Sequence, residues 1–161
     1  MLGACLSLAA ALGAGEVFVP VQVFTLAWMH SIEHVRWEED YAVTTDPHTG
    51  QPVLQATRAR IRGSAAGMEP PPDARLVGSW FVYTPAQRFV PVLHLTRSVY
   101  TADYDWCVAG RCEPLQNLLR SDGGVTELRA CERRARGPTV SADRAAFPRP
   151  PGGRGVAAGA R

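Results

Sequence analysis

The chain has 161 residues, 46% of them hydrophobic, and a formal net charge of +2, which suits one domain with its own core. All 17 basic residues are arginine and cluster late: residues 1–119 hold eight arginines against eleven acidic groups, residues 120–161 nine against four. A nucleic-acid domain carries its basic patch on the folded body, and this body is mildly acidic, so nucleic acid is excluded as the main partner.

The opening segment 1–15, MLGACLSLAAALGAG, is apolar and small-residue-rich. It is shorter than the roughly 20 apolar residues that span a bilayer, and it lacks the positive start of a secretory signal. The segment is open to three readings: a secretory signal, a lipoprotein cleavage box at LGAC, or, in ACLSL, the first strand of a mature domain whose export signal lies upstream; in each the domain is peripheral to the membrane at most. From there two-residue alternation outweighs helical spacing. In VFTLAWMHSIE, Phe24, Leu26, Trp28, His30 and Ile32 share one face, and Thr25, Ala27, Met29, Ser31 and Glu33 the other. The chain then turns through EHVR and starts a second strand at Trp37, which sets Glu38 and Asp40 on one face and Trp37, Glu39 and Tyr41 on the other.

TTDPHTGQP is a long turn punctuated by Asp-Pro and Gly. PVLQATRARIRG alternates again, predicting that Leu54, Ala56, Arg58, Arg60 and Arg62 share a face opposite Val53, Gln55, Thr57, Ala59 and Ile61. GSAAGMEPPPDARLVG is a loop, because three prolines remove donors and fix φ. SWFVYTP, VLHLTRSVY, DYDWCVAG and VTELRAC are further strands, with a short helix at EPLQNLLRS between the last two. The expected fold is mainly β: a single-domain antiparallel sandwich or small barrel over residues 5–131. Residues 132–161, rich in Arg, Gly and Pro, form a disordered tail, too poor in apolar side chains to offset chain entropy.

The four cysteines are Cys5, Cys107, Cys112 and Cys131. An even number, two of them flanking the turn VAGR, favours a cross-hairpin disulfide and an exported, oxidised protein. The three possible pairings stay open. A zinc site would need a second close pair, and none follows.

FTLAWMHSIEHVRWEEDY, then RIRGSAAGMEPPPDARLVGSWFVY, then YDWCVAGRCEPL and ELRAC, closely resemble the bacterial family filed as domain of unknown function 1850. The likeness covers residues 5–131 or so and also places CLSL as a first strand after a leader. What it implies is a small exported, periplasmic protein often encoded beside tripartite (TRAP) transporters of the TAXI type. The Arg/Gly/Pro tail is a departure from that pattern.

The residues that pose a functional question sit in LAWMHSIEHVRWEEDY. A Ser31 nucleophile with a histidine base fails on alternation, since Ser31 and His30 point to opposite faces of a strand, and no glycine-flanked elbow surrounds Ser31. A metal set of His30, His34, Glu38 and Glu39 needs a helix. Binding asks least of the geometry: acidic groups beside an aromatic plate hold a cationic or polar ligand. The competing structural reading is a cross-strand charge ladder of carboxylates with Arg58, Arg60 and Arg62. The expected ligand rim is His30, Ser31, Glu33, Trp37, Glu38 and Glu39, with the loop residues Gly67, Met68 and Glu69. The expected function is non-catalytic, without cofactor or metal: binding a small solute or a transporter component. The alternatives are a hydrolase or metal-assisted hydrolase using His30 and Glu33, and a purely structural envelope protein.

Overall fold

Twelve strands account for nearly all the regular structure in the computed structural model, which describes residues 1–10, 15–31, 34–63 and 70–133. The expectations for Ile32, Glu33, Gly67, Met68, Glu69 and the tail beyond Arg133 fall outside the described residues. In chain order the strands are β1 (Leu2–Leu8), β2 (Val17–Val19), β3 (Val23–Met29), β4 (Arg36–Thr45), β5 (Pro52–Arg62), β6 (Arg75–Val77), β7 (Trp80–Tyr83), β8 (Phe89–Val90), β9 (Leu93–Thr96), β10 (Asp105–Val108), β11 (Arg111–Pro114) and β12 (Val125–Glu132). The helix expected at EPLQNLLRS is a single 3-10 turn, Leu115–Asn117.

Two antiparallel sheets face each other without closing into a barrel. The smaller has the order β2-β1-β12-β9 and the larger β11-β10-β3-β4-β5-β7-β6, with β8 paired to β5 beyond the end of β7. Between them lie Ala4, Leu6, Leu128 and Ala130 from the small sheet, against Phe24, Leu26, Tyr41, Leu54, Ala56 and Trp106 from the large one. Phe24 stacks on both Trp106 (4.2 Å) and Tyr41 (5.4 Å), joining three neighbouring strands.

One expectation about the faces is overturned. Leu54 and Ala56 do not share a face with Arg58, Arg60 and Arg62: they are buried together with Ala59 and Ile61. The register of β4 on β5 slips between Asp40/Arg58 and Tyr41/Ala56, leaving Thr57 as the extra residue of a β-bulge. Its hydroxyl donates to the Asp40 carbonyl at 3.0 Å. A bulge inserts one residue and so exchanges inside for outside beyond it.

At the β10–β11 hairpin Ala109 and Gly110 both take positive φ, 50° and 78°, as a two-residue turn with the strands' own twist requires. Directly behind it Cys107 pairs with Cys112, and Cys5 of β1 with Cys131 of β12. Where β1 runs beside β2, a Cβ on Gly3 would lie 2.5 Å from the Val19 carbonyl oxygen, so no larger residue fits.

The segment between β9 and β10 is tied down by Arg97, whose guanidinium is almost wholly buried and grips both oxygens of Asp103 at 2.8 Å. It also donates to the Leu119 carbonyl at 2.8 Å and to Thr126 Oγ1 at 3.2 Å. Every one of these acceptors lies on a different turn or strand, so one side chain fixes the base of the 98–102 loop.

The two disulfides differ in the length of chain they close, 126 against 5 residues of separation. Chain-entropy reasoning gives about 5 kcal/mol for the long loop and about 2 kcal/mol for the short one. Urea unfolding of a Cys5→Ala/Cys131→Ala double variant should therefore show a loss about 2–3 kcal/mol larger than that of Cys107→Ala/Cys112→Ala. Equal losses would contradict the Cys5–Cys131 bridge between β1 and β12 as the main covalent restraint.

Candidate functional site

The β3–β4 hairpin closes tightly: the His30 N–H donates to the Val35 carbonyl and the His34 N–H to the His30 carbonyl, both at 2.9 Å. His34 takes φ 52°, the left-handed conformation a histidine adopts only where a turn demands it. Strand pairing then sets Trp28 directly opposite Trp37. Their rings are 5.9 Å apart, Tyr104 lies 5.8 Å from Trp28, and His30 stacks on Trp37 at 5.4 Å. The result is a continuous run Tyr104–Trp28–Trp37–His30, each member half-buried. A cleft of about 270 Å³ opens beside it, between the hairpin end (Trp28, Met29, His30, Ser31) and the segment that includes Ser98, Thr101 and Tyr104. The Trp37 indole Nε1 is buried and has no hydrogen-bond partner among the described residues, although a buried donor left unsatisfied costs about 1–3 kcal/mol.

Glu39 stands on the same face, one pleat along from Trp37. It pairs across the sheet with Leu26 on one side and Ala59 on the other, and Ala59 pairs with Tyr83. Ala59, between Glu39 and Tyr83 across the sheet, is itself buried. The Tyr41 hydroxyl donates to the Glu39 carboxylate. Burial first, then the negative charge of Glu39, push the Tyr41, Tyr83 and Tyr104 phenols above their ordinary range. Among the described residues no arginine or histidine forms an ion pair with Glu39.

The opposite face of the same strand is its counterpart. Glu38 accepts from Arg36 Nε (2.8 Å) and Arg60 Nε (2.7 Å). Asp40 accepts from Arg58 Nε (2.7 Å), Arg60 Nη1 (2.9 Å) and the Thr25 hydroxyl (2.6 Å). Arg36 reaches on to Asp105 at 2.9 Å. This ladder runs across β10, β3, β4 and β5 and borders a larger cleft of about 490 Å³, which also exposes the Cys107–Cys112 disulfide. Its carboxylates are already neutralised, so the ladder joins strands and has no spare charge for a solute.

The structure therefore divides the expected rim. His30, Trp37 and Glu39 gather on the inner, aromatic face, with exposed Ser31 at the edge of the cleft. Glu38 does not join them; strand alternation turns it outward to Arg36 and Arg60. Arg62, expected in the ladder, has no ion pair among the described residues, and its rung is taken by Arg36. The metal set is excluded geometrically, because Glu38 and Glu39 stand on opposite faces of β4. Among the described residues no three His, Cys, Asp or Glu side chains converge to hold a metal. Alternation gives Trp28 a core-facing position and does not mark Tyr104 or Tyr83, and the pairing of β10 on β3 that brings Tyr104 alongside is not visible in local pattern.

The model of the family described as Domain of unknown function (DUF1850) matches residues 24–115. The chain belongs to the DUF1850 family. Comparison with curated proteins and with solved structures returns no match. The matched span contains the aromatic run, Glu39 and the whole charge ladder, whereas β1, β12 and the Cys5–Cys131 bridge flank it.

Burial opposes ionisation of Asp40, but the hydrogen bonds from Thr25 and Arg58 and the charge of Arg60 outweigh it and hold the carboxyl below the usual range. Burial likewise opposes ionisation of Glu38, and its bonds from Arg36 and Arg60 prevail. Groups depressed in the folded state stabilise it fully above their unfolded pKa, about 4, and lose that contribution as pH falls through the folded value. Stability should thus be flat from pH 7 to about 5 and fall steeply below 4. An Asp40→Asn variant should start lower at pH 7 and fall less; an unchanged acid slope in urea unfolding would refute the ladder's role.

Proposed function

We propose that this DUF1850 protein is a non-catalytic accessory domain that binds a small solute in the aromatic recess, working outside the cytoplasm in connection with a TRAP-type transport system. The observation that carries the binding half is the half-buried run Tyr104–Trp28–Trp37–His30 beside an open cleft. Binding sites are concave, mostly apolar, and carry a few placed polar groups. Here the polar groups that line the cleft are His30, Ser31, Thr96, Ser98 and Thr101. Aromatic surface that a domain needs only for its core is normally closed off, as Phe24 and Trp106 are in this one.

Two features support export and transport. Both disulfides use all four cysteines, which suits an oxidising compartment. The transport connection rests on the resemblance of the three sequence blocks to a family found beside such transporters.

Two measurements test the proposal. Small solutes that enter the recess should quench Trp28 and Trp37 emission and raise the melting temperature, and Tyr104→Ala together with Trp28→Ala should abolish both responses. Solutes that stabilise the double variant as well as the wild type would place binding elsewhere. Affinity capture of the exported full chain should retain a transporter component; repeated recovery of the chain alone would overturn the transport connection.

A further inference from the structure

Among the described residues, no arginine, aspartate or glutamate lines the cleft between the β3–β4 hairpin end and the 96–104 segment. The two charged residues of that segment, Arg97 and Asp103, bond to each other, and Arg97 is almost wholly buried. Burial, then the negative charge of Glu39, holds the Tyr104 phenol protonated above its ordinary range, so it adds no charge either. What the lining offers instead is hydroxyl-bearing residues. Ser31 on the hairpin and Thr96 and Thr101 opposite it are exposed, and no side-chain hydrogen bond engages their hydroxyls among the described residues. Ser98 Oγ accepts from the Tyr100 N–H at 3.1 Å and keeps its own hydrogen to donate. Trp28 and Tyr104, with ring centroids 5.8 Å apart and planes at 52°, form an apolar corner of the same cleft.

We infer that the cleft takes an uncharged, polyhydroxylated ring, a monosaccharide or cyclic polyol, with its C–H groups on the Trp28–Tyr104 corner and its hydroxyls on Ser31, Ser98 and Thr101. The inference rests on the recess being the solute site and names the class of solute it takes. A hydroxyl donates one hydrogen bond and accepts two, so hydroxyls of the side chains and of the ring match in either direction. Such a ring carries C–H groups on its faces and O–H groups around its edge, the same division as the aromatic corner and its hydroxyl-bearing rim. A charged guest fares worse. Leaving water costs a carboxylate or an ammonium far more than a hydroxyl, and the lining holds no arginine for the one and no carboxylate for the other. A plain hydrocarbon ring leaves the side-chain hydroxyls it covers without partners. The cleft's volume of about 270 Å³ lies below the roughly 300–1,000 Å³ of sites for drug-sized ligands, which suits one ring and not a chain of them.

The test titrates the full chain with one-ring probes and follows the indole N–H signal of Trp28 by NMR. Glucose, galactose, mannose and myo-inositol are the neutral probes. Glucosamine and glucuronate put a charge on the same kind of ring, and cyclohexanol keeps a ring with a single hydroxyl. The best neutral probe should shift the Trp28 signal and bind at least tenfold more tightly than glucosamine, glucuronate and cyclohexanol. Ser31→Ala and Thr101→Val, both at exposed positions, should each weaken that probe by about two- to tenfold and leave cyclohexanol unchanged. Because the preference is measured first on wild-type protein, it does not depend on a variant folding. A charged ring or cyclohexanol binding as tightly as the best neutral probe, or no loss in either variant, would overturn the polyol inference while keeping the recess as a binding site. Failure of every probe to shift the Trp28 signal at tens of millimolar would overturn the recess as a binding site altogether.

Discussion

The pleat of β4 is the constraint on which everything else hangs. Because successive side chains of a strand point to opposite faces, the run Trp37-Glu38-Glu39-Asp40-Tyr41 is sorted residue by residue into two environments. Glu38 and Asp40 go out to Arg36, Arg58 and Arg60 and bind four strands of the large sheet together. Trp37, Glu39 and Tyr41 go in, where Trp28, Phe24 and Tyr104 meet them. One strand thus supplies both the electrostatic tie of the sheet and, through Trp37, part of the aromatic run, with no exchange of residues between the two tasks.

That sorting holds only if β5 presents the right partner to each side, and the bulge at Thr57 ensures it. Without the extra residue, Leu54 and Ala56 would lie on the arginine face and the core between the sheets would lose two of its buried members. With it, Arg58 and Arg60 meet carboxylates at one end of β5 while Leu54 and Ala56 meet the small sheet at the other. The recess is then held in place by Arg97. Buried beneath the 98–102 loop and gripping Asp103, it fixes the chain that delivers Tyr104 to Trp28. Removing one partner of such a pair commonly costs about 3–5 kcal/mol, so Arg97 anchors the base of this loop.

Much of this was legible in the sequence, and the failures have physical causes. Alternation alone places Trp37, Glu39 and Tyr41 together and sets Glu38 and Asp40 against the arginines of β5. It misplaces Leu54 and Ala56 because a bulge leaves no mark in a run such as VLQATRAR, where either phase looks regular. It misses Tyr104 and Tyr83 because they reach Glu39's neighbourhood through the pairing of β10 with β3 and of β7 with β5, contacts between distant parts of the chain. It assigns Arg62 to the ladder where Arg36, beside the hairpin turn, holds that rung. DUF1850 membership, read from three ordered blocks, agrees with the family match, whose span takes in the aromatic run and the ladder and, of the small sheet, β9 but not β1, β2 or β12.

The central claim is that Glu38 ties the large sheet together and Glu39, one residue on, takes no part in that tie, and removing each charge in turn tests it most directly. In urea unfolding at pH 7, Glu38→Gln should lower stability by about 1–2 kcal/mol, since it breaks charged hydrogen bonds to two arginines. Glu39→Gln should leave stability unchanged or raise it, because an amide can still accept from the Tyr41 hydroxyl and no buried charge remains unpaired. A Glu39→Gln variant that loses as much stability as Glu38→Gln would show that the inner carboxylate also holds the sheet together.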